Sequence, residues 1–141
     1  MLEEGRRAAA EAGVAIELVR QDVHQMDLPD AFADVVTSRS TVHHWSDPAR
    51  ALREIDRVLK PGGVAIITDV RRDAPPDAVA AFNRLRADAG LPPSVLEEKY
   101  SVTELEAFCR DAGLADRCRF HVAEDGLAAL GVTIVLSHDR G

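Results

Sequence analysis

Two short apolar runs enclose an amphipathic helical pattern near the middle of the chain. The first run covers residues 32–37 and the second covers residues 64–70, and each has the length of a buried strand. Between them, apolar residues recur at helical spacing and stop before a Pro-Gly-Gly sequence. The order strand, polar loop, helix, turn and strand predicts a β-α-β unit with a parallel pair of strands. Ligands of such sheets bind at the carboxyl ends of the strands, so the loop after the first strand is the first candidate for a site.

The helix of this unit has clear start and stop signals. Ser46 or Asp47 can accept a hydrogen bond from the first free backbone amides, and Pro48 suits the first helical turn. Pro61 cannot continue a helix, and the two glycines after it tolerate the backbone angles of a turn. We expect the apolar stripe of this helix to pack on the sheet; its members are Leu52, Ile55, Val58 and Leu59.

The remaining pattern predicts further helices and strands. Helices are expected over residues 2–12, 77–89 and 101–112, the last opening with a capping box, and strands over residues 14–19, 118–122 and 132–136. The last two strands alternate apolar and polar residues and are separated by a turn, so they should pair antiparallel. The fold class is therefore α/β, with a partial doubly wound sheet that is mostly parallel and ends in an antiparallel hairpin.

Composition and charge narrow the function classes. The chain has 141 residues, enough for one domain with its own core, and a net charge of −7. This charge disfavours nucleic acid and anionic membranes as partners, because both require a basic face. No apolar run reaches about 18 residues, and Glu3 and Glu4 stand where a signal peptide would be basic, so the expected location is the cytoplasm. Cys109 and Cys118 are expected to be buried apolar residues, and no metal site is expected.

Several motifs between Asp22 and Asp69 occur in an order and spacing typical of one family. They are the acidic residue Asp22, then LPD at 28–30, FADVV at 32–36, HHWSDP at 43–48, ALREI at 51–55 and VLKPGG at 58–63. This stretch resembles the class I, Rossmann-like S-adenosylmethionine-dependent methyltransferases, in particular the type 11 methyltransferase domain. The resemblance implies a Rossmann-like fold, S-adenosylmethionine as cofactor and a small molecule as methyl acceptor.

The chain departs from that family at its amino terminus. Family members open with a strand and a glycine-rich turn that cradles the methionine part of the cofactor, and a second strand ends in an acidic residue that holds the ribose hydroxyls. Neither feature occurs in this sequence, and residues 1–4 resemble the family sequence just after that acid. We therefore expect residues 1–141 to form a single methyltransferase-like domain, truncated at its amino terminus, whose binding of S-adenosylmethionine is weak or absent.

The resemblance also assigns candidate residues to the cofactor site. Asp22 and Val23 lie where family members receive the adenine, through a carboxylate and the following backbone amide. Ser38, Arg39 and Ser40 follow the central strand, where backbone carbonyls would face the ammonium group of the cofactor. The alternative for Asp22 is a surface aspartate at the end of a strand.

His43 and His44 are the candidate bases near the expected centre. A neutral histidine has a pKa suited to accepting a proton near neutrality, and His43 is the predicted catalytic residue. Alternatively, both histidines shape the loop while Trp45 packs on the sheet. Asp69 ends a strand and is a second candidate for contact with the substrate. A general base is not required for every methyl transfer, because alignment of the nucleophile can dominate.

These features lead to two hypotheses for function and disfavour a third. The first is methyl transfer from S-adenosylmethionine to a small molecule; the alternative is a non-catalytic methyltransferase-like remnant that acts as an oligomerising or interaction domain. A nicotinamide-dependent oxidoreductase is disfavoured because the sequence has no G-x-G-x-x-G turn. Because the family's first two strands are missing, we expect an exposed sheet edge and a homodimer. The residues expected to be buried by that dimer are Val14, Ile16, Val35 and Val36.

Overall fold

The computed structural model describes residues 1–139, which contain one four-stranded sheet. The helices are α1 (Leu2–Ala12), α2 (Pro48–Val58), α3 (Pro76–Asp88) and α4 (Val102–Asp111). The strands are β1 (Ala33–Arg39), β2 (Leu59–Val70), β3 (Cys118–His121) and β4 (Gly131–Ser137). The strand order is β1-β2-β4-β3, with β1 parallel to β2 and the other neighbours antiparallel, so the α/β class is confirmed. None of the helices between residues 1 and 139 has the length and apolar character needed to cross a membrane.

The core lies between one face of the sheet and the helices α2 and α4. The Asp47 side chain caps α2 by accepting a hydrogen bond from the Arg50 backbone amide at 3.0 Å, and Ser101 opens α4 with the predicted capping box. The predicted apolar stripe is buried, with Leu52, Ile55, Val58 and Leu59 all at most 3% exposed. Together with residues of α4 and the facing strands, Leu52, Ile55 and Leu59 form one apolar cluster that fixes the helices on the sheet.

The opposite face of the sheet is partly open. Along β2, Ala65 and Ile67 are buried, whereas Ile66 between them is 39% exposed. On β1, Val35 lies on the same face as Ile66 and is 56% exposed. This alternation is typical of a sheet that is covered on one face, and it leaves apolar side chains next to the outer edge of β1.

A close approach of two backbones sets the register of the parallel pair. Gly62 has a φ of 80°, the left-handed region that favours glycine. A Cβ on Gly63 would lie 2.8 Å from the Lys60 carbonyl oxygen and 3.1 Å from the Asp34 carbonyl oxygen. The predicted turn after α2 therefore lies inside β2, which begins at Leu59, as an irregularity in the pairing with β1. Because residue 63 is a glycine, regular pairing of β1 and β2 resumes at Val64.

Residues 14–19 do not form the predicted strand. Val14, Ile16 and Val19 are 53%, 55% and 56% exposed and belong to no strand. An apolar run becomes a strand only when a neighbour completes its hydrogen bonds, and within residues 1–139 nothing is paired with the outer edge of β1. The sheet is consequently mixed rather than mostly parallel, since β1 and β2 are its one parallel pair in the described part of the chain.

We expect the outer edge of β1 to pair with a second copy of the chain in solution. The edge presents unpaired backbone groups next to Phe32 and Val35, which are 54% and 56% exposed, and such an edge favours association. Light scattering on the purified chain should give about twice the monomer mass. The substitution Val35→Lys should return the chain to a monomer, because a charge on the edge opposes pairing.

The matched control for this prediction is Leu85→Lys. Leu85 lies on α3 and is 52% exposed, so the new charge is equally solvated but sits on a helix. This variant should keep the mass of the original chain. A monomeric original chain that unfolds cooperatively would show that the edge is not an association site.

Candidate functional site

Two clefts include residues at the carboxyl end of β1 in their walls. The Asp22 cleft has a volume of about 940 Å³ and is lined by loop residues between positions 20 and 26 and by residues of β1 and the turn after it. The Arg39 cleft has a volume of about 620 Å³ and is lined by residues from the ends of all four strands. Ser38 lines the first cleft and Arg39 lines the second. Both clefts lie where parallel strands present ligand sites.

A chain of hydrogen bonds through His24 positions Asp22. The backbone amide of His24 donates to Asp22 Oδ1 at 2.9 Å, and His24 Nδ1 lies 2.7 Å from the same oxygen. The backbone amide of Asp47 donates to His24 Nε2 at 3.2 Å. These contacts assign a neutral ring with its proton on Nδ1, which ties the Asp22 turn to the start of α2.

Asp22 is an exposed carboxylate with one oxygen already engaged. Hydrogen bonds from the His24 backbone amide and then from its ring hold the pKa of Asp22 below its ordinary value, although burial opposes them. The side chain is 69% exposed and Asp22 lines the cleft, so a ligand there can reach the carboxylate. Val23, the next residue, packs against the core instead. This placement is compatible with the predicted adenine contacts, and their role stays a prediction.

The inner wall of the Asp22 cleft is apolar. It is formed by Met26, Val36, Trp45 and Ile55, of which Trp45 is 8% exposed and Ile55 is 2% exposed. An apolar wall with a carboxylate at its rim suits a flat aromatic base that carries an amino group. The described residues therefore fit the adenine half of the implied cofactor, and Ser38 adds a hydroxyl at the end of β1.

The structure separates two of the predicted cofactor residues from the others. Asp22, Val23 and Ser38 share the Asp22 cleft, whereas Arg39 and Ser40 line the Arg39 cleft. Ser40 has a φ of 56°, which is uncommon for a residue other than glycine, and its backbone amide donates to the carbonyl oxygen of residue 68 at 2.8 Å. The end of β1 is thus tied to β2, and its last side chains face the second cleft.

His43, Asp69 and Lys99 form a buried cluster at the end of β2. His43 Nδ1 lies 3.0 Å from Asp69 Oδ2, and Lys99 Nζ donates to Asp69 Oδ1 at 3.3 Å. Lys99 Nζ also lies 3.0 and 3.2 Å from the two ring nitrogens of His43. The side chains of His43, Asp69 and Lys99 are 9%, 6% and 14% exposed. Three separate parts of the chain meet here: the turn after β1, the end of β2 and the loop before α4.

Asp69 is the member of this cluster that reaches a cleft. Burial by itself would raise the pKa of Asp69, but hydrogen bonds from His43 and the Val70 backbone amide and the charge of Lys99 bring it below its ordinary value. Asp69 is therefore ionised near neutrality, and it lines the Arg39 cleft. His43 is not among the lining residues of either cleft, so a proton from a substrate could reach it only through this cluster. Its role as a base stays a prediction.

Sequence reasoning missed His24 and Lys99. Each makes a long-range contact, at a separation of 23 residues for His24 with Asp47 and 30 residues for Lys99 with Asp69. One signal was available for Lys99, because it is one of only two lysines in the sequence. Across residues 1–139, no group of three or more histidine, cysteine or acidic side chains is arranged to hold a metal ion.

Comparisons with known proteins identify similar sequences. Residues 1–67 match the family model described as a methyltransferase domain. The ubiquinone biosynthesis O-methyltransferase of Pseudomonas paraeruginosa is 32% identical over 108 residues, which are 74% of this chain and 46% of that protein. The uncharacterised methyltransferase YcgJ of Bacillus subtilis is 34% identical over 104 residues, which are 70% of this chain and 40% of that protein. The chain thus spans less than half the length of either relative.

The fold is also found among solved structures. A SAM-dependent methyltransferase from Aquifex aeolicus superposes with a TM-score of 0.68 at 24% identity, covering 98% of this chain and 63% of that chain. At this identity the likeness concerns the fold, and it extends over nearly the whole chain. The Rossmann-like fold implied by the sequence motifs is confirmed.

Asp69 should contribute a stabilisation that disappears in acid. Its pKa is lowered in the folded chain, so the contribution is complete above the ordinary value of 3.8 and is lost as the pH falls through the lowered value. The substitution Asp69→Asn should cost about 1–3 kcal/mol at neutral pH, because the amide carries no charge and its NH2 group replaces one of the two oxygens that Lys99 and His43 contact. Urea unfolding of both proteins, followed from about pH 7 down to about pH 3, measures this difference.

Asp88→Asn provides the control, because Asp88 is exposed at the end of α3. Its effect on the free energy of unfolding should be small throughout the pH range. An Asp69→Asn penalty that keeps its full size in acid would show that the carboxylate charge is not what stabilises the cluster.

Proposed function

Because this chain belongs to the class I methyltransferase family, we propose that it transfers a methyl group from S-adenosylmethionine to a small-molecule acceptor. The observation that carries the proposal is that neighbouring residues at the carboxyl end of β1 line the Asp22 cleft and the Arg39 cleft. The first has a wall suited to a flat base, and the second counts the buried, ionised residue Asp69 among its lining residues. A donor in one cleft and an acceptor in the other would be neighbours across the end of a single strand.

The Asp22 cleft is the proposed cofactor site. Asp22 would accept a hydrogen bond from the adenine amino group, the Val23 backbone amide would meet a ring nitrogen, and Trp45 belongs to the apolar wall beside them. S-adenosylmethionine, when bound, supplies a methyl group on a positively charged sulfur. The hydrogen bonds from His24 fix the orientation of the Asp22 carboxylate before any ligand arrives, which lowers the entropy lost on binding.

Asp69 is the residue that we assign to the acceptor side. Methyl transfer from a sulfonium moves positive charge to the acceptor atom, and a fixed carboxylate stabilises that charge as it develops. Lys99 and His43 keep the Asp69 carboxylate ionised and in one orientation. His43 is kept as the proposed base: with its proton on Nδ1, the lone pair is on Nε2, and Lys99 must move aside before Nε2 can accept a proton.

The size and chemistry of the second cleft favour a small molecule as acceptor. A volume of about 620 Å³ lies within the range of pockets that hold small ligands. The net charge of −7 disfavours a nucleic acid as the acceptor. The relative from Pseudomonas paraeruginosa is named for an O-methylation in ubiquinone biosynthesis, which is a small-molecule reaction.

We expect the 141-residue chain to bind S-adenosylmethionine with a dissociation constant of about 0.1 mM or weaker. The sequence has no glycine-rich turn, so the adenine half of the ligand would supply most of the contacts. Titration calorimetry measures the affinity. Asp22→Asn should weaken it about tenfold, because a charge-assisted hydrogen bond is lost.

Asp27→Asn is the matched control, since Asp27 is an exposed aspartate of the same loop and is not among the lining residues of the Asp22 cleft. It should leave the affinity unchanged. A low-micromolar dissociation constant would contradict the expected weakness. Complete absence of Asp22-dependent binding would contradict the cofactor site and would favour the non-catalytic, oligomerising alternative.

A further inference from the structure

A row of four polar side chains crosses the whole sheet at the Arg39 cleft. The strand register pairs Arg39 of β1 with Thr68 of β2, Thr68 with Thr133 of β4, and Thr133 with His121 of β3. Cross-strand partners lie side by side on one face, and all four residues line the cleft. At the usual strand spacing the row is about 14 Å long. Two positions earlier on β2 the same face carries the apolar Ile66, so the polar row marks a local change in surface chemistry.

Arg39 brings an uncompensated positive charge to this row. The guanidinium groups of Arg57, Arg72 and Arg117 are paired with carboxylates, whereas Arg39 has no such partner within residues 1–139. Asp69 also lines the cleft, but Lys99 and His43 already engage its carboxylate oxygens. In a chain with a net charge of −7, a cleft with this charge selects an anionic ligand.

We propose that the Arg39 cleft binds the carboxylate group of a small carboxylic acid through Arg39. This inference rests on the proposed function and names the class of its substrate. A guanidinium presents two parallel N–H donors whose spacing matches the two oxygens of a carboxylate. The hydroxyls of Thr68 and Thr133 continue the row as further hydrogen-bonding groups for the rest of the molecule.

Phosphate is the competing anion for this position. Phosphate groups are usually bound by several backbone amides at a glycine-rich turn or at the start of a helix. The Arg39 cleft is lined instead by strand residues, and its charged donor is a single guanidinium. Two-point pairing with one planar group favours a carboxylate.

The test is an NMR titration of the ¹⁵N-labelled chain with phenylacetate and, separately, with phenylacetamide. Phenylacetate should shift the backbone amide signals of Arg39, Thr68 and Thr133, and the uncharged amide should not. Arg39→Gln should weaken phenylacetate binding about tenfold, because the charge-assisted pair is lost. Arg39→Lys keeps the charge without the two-point geometry and should give an intermediate affinity.

Arg84→Gln is the control, because Arg84 is exposed on α3 and the substitution makes the same change of charge. It should bind phenylacetate like the original chain. Equal binding of the amide, unchanged binding by Arg39→Gln, or tighter binding of inorganic phosphate at the same residues would overturn the proposal. The titration needs neither cofactor nor turnover. If the chain failed to bind S-adenosylmethionine, that result would count against the proposed function and would not change the outcome of the titration.

Discussion

The parallel pairing of β1 with β2 is the constraint on which the site depends. It places the ends of the two strands side by side, so that the turn after β1 brings His43 within 3.0 Å of Asp69. A side chain at position 63 would crowd this pairing, because its Cβ would lie 2.8 Å from the Lys60 carbonyl oxygen and 3.1 Å from the Asp34 carbonyl oxygen. The connecting helix α2 then buries its apolar stripe against the pair and holds the loop of the Asp22 cleft through Asp47. The β-α-β unit thus creates both clefts at the end of one strand.

The two carboxylates at this end of the sheet, Asp22 and Asp69, differ in their exposure and in the groups that hold them in place. Asp22 is exposed, and local hydrogen bonds from His24 orient it, so a ligand can reach it without a large desolvation cost. Asp69 is buried, and its charge is tolerated because Lys99 supplies a compensating charge and both Lys99 and His43 hydrogen-bond to it. An exposed acceptor suits reversible recognition of a base. A buried and fixed acceptor suits stabilisation of charge that appears only during reaction.

The sequence predicted those parts of the fold that short-range interactions decide. Asp47 caps α2 as expected, because a cap is a hydrogen bond between residues three positions apart. Residues 14–19 have the composition of a strand but lack a partner, and composition alone does not supply one. His24 and Lys99 depend on contacts across 23 and 30 residues, which no local pattern encodes. Arg39 was grouped with the cofactor residues by its position in the sequence, whereas the structure places it in the other cleft.

Photolabelling with 8-azido-S-adenosylmethionine tests most directly whether the Asp22 cleft receives an adenine. After irradiation, digestion with trypsin separates residues 21–39, which include Asp22, from residues 40–50, which include Trp45. We predict that mass spectrometry will find the label in one or both of these peptides, and that excess S-adenosylmethionine will remove it. Label confined to other peptides, or label that excess S-adenosylmethionine does not reduce, would contradict this assignment of the cofactor site.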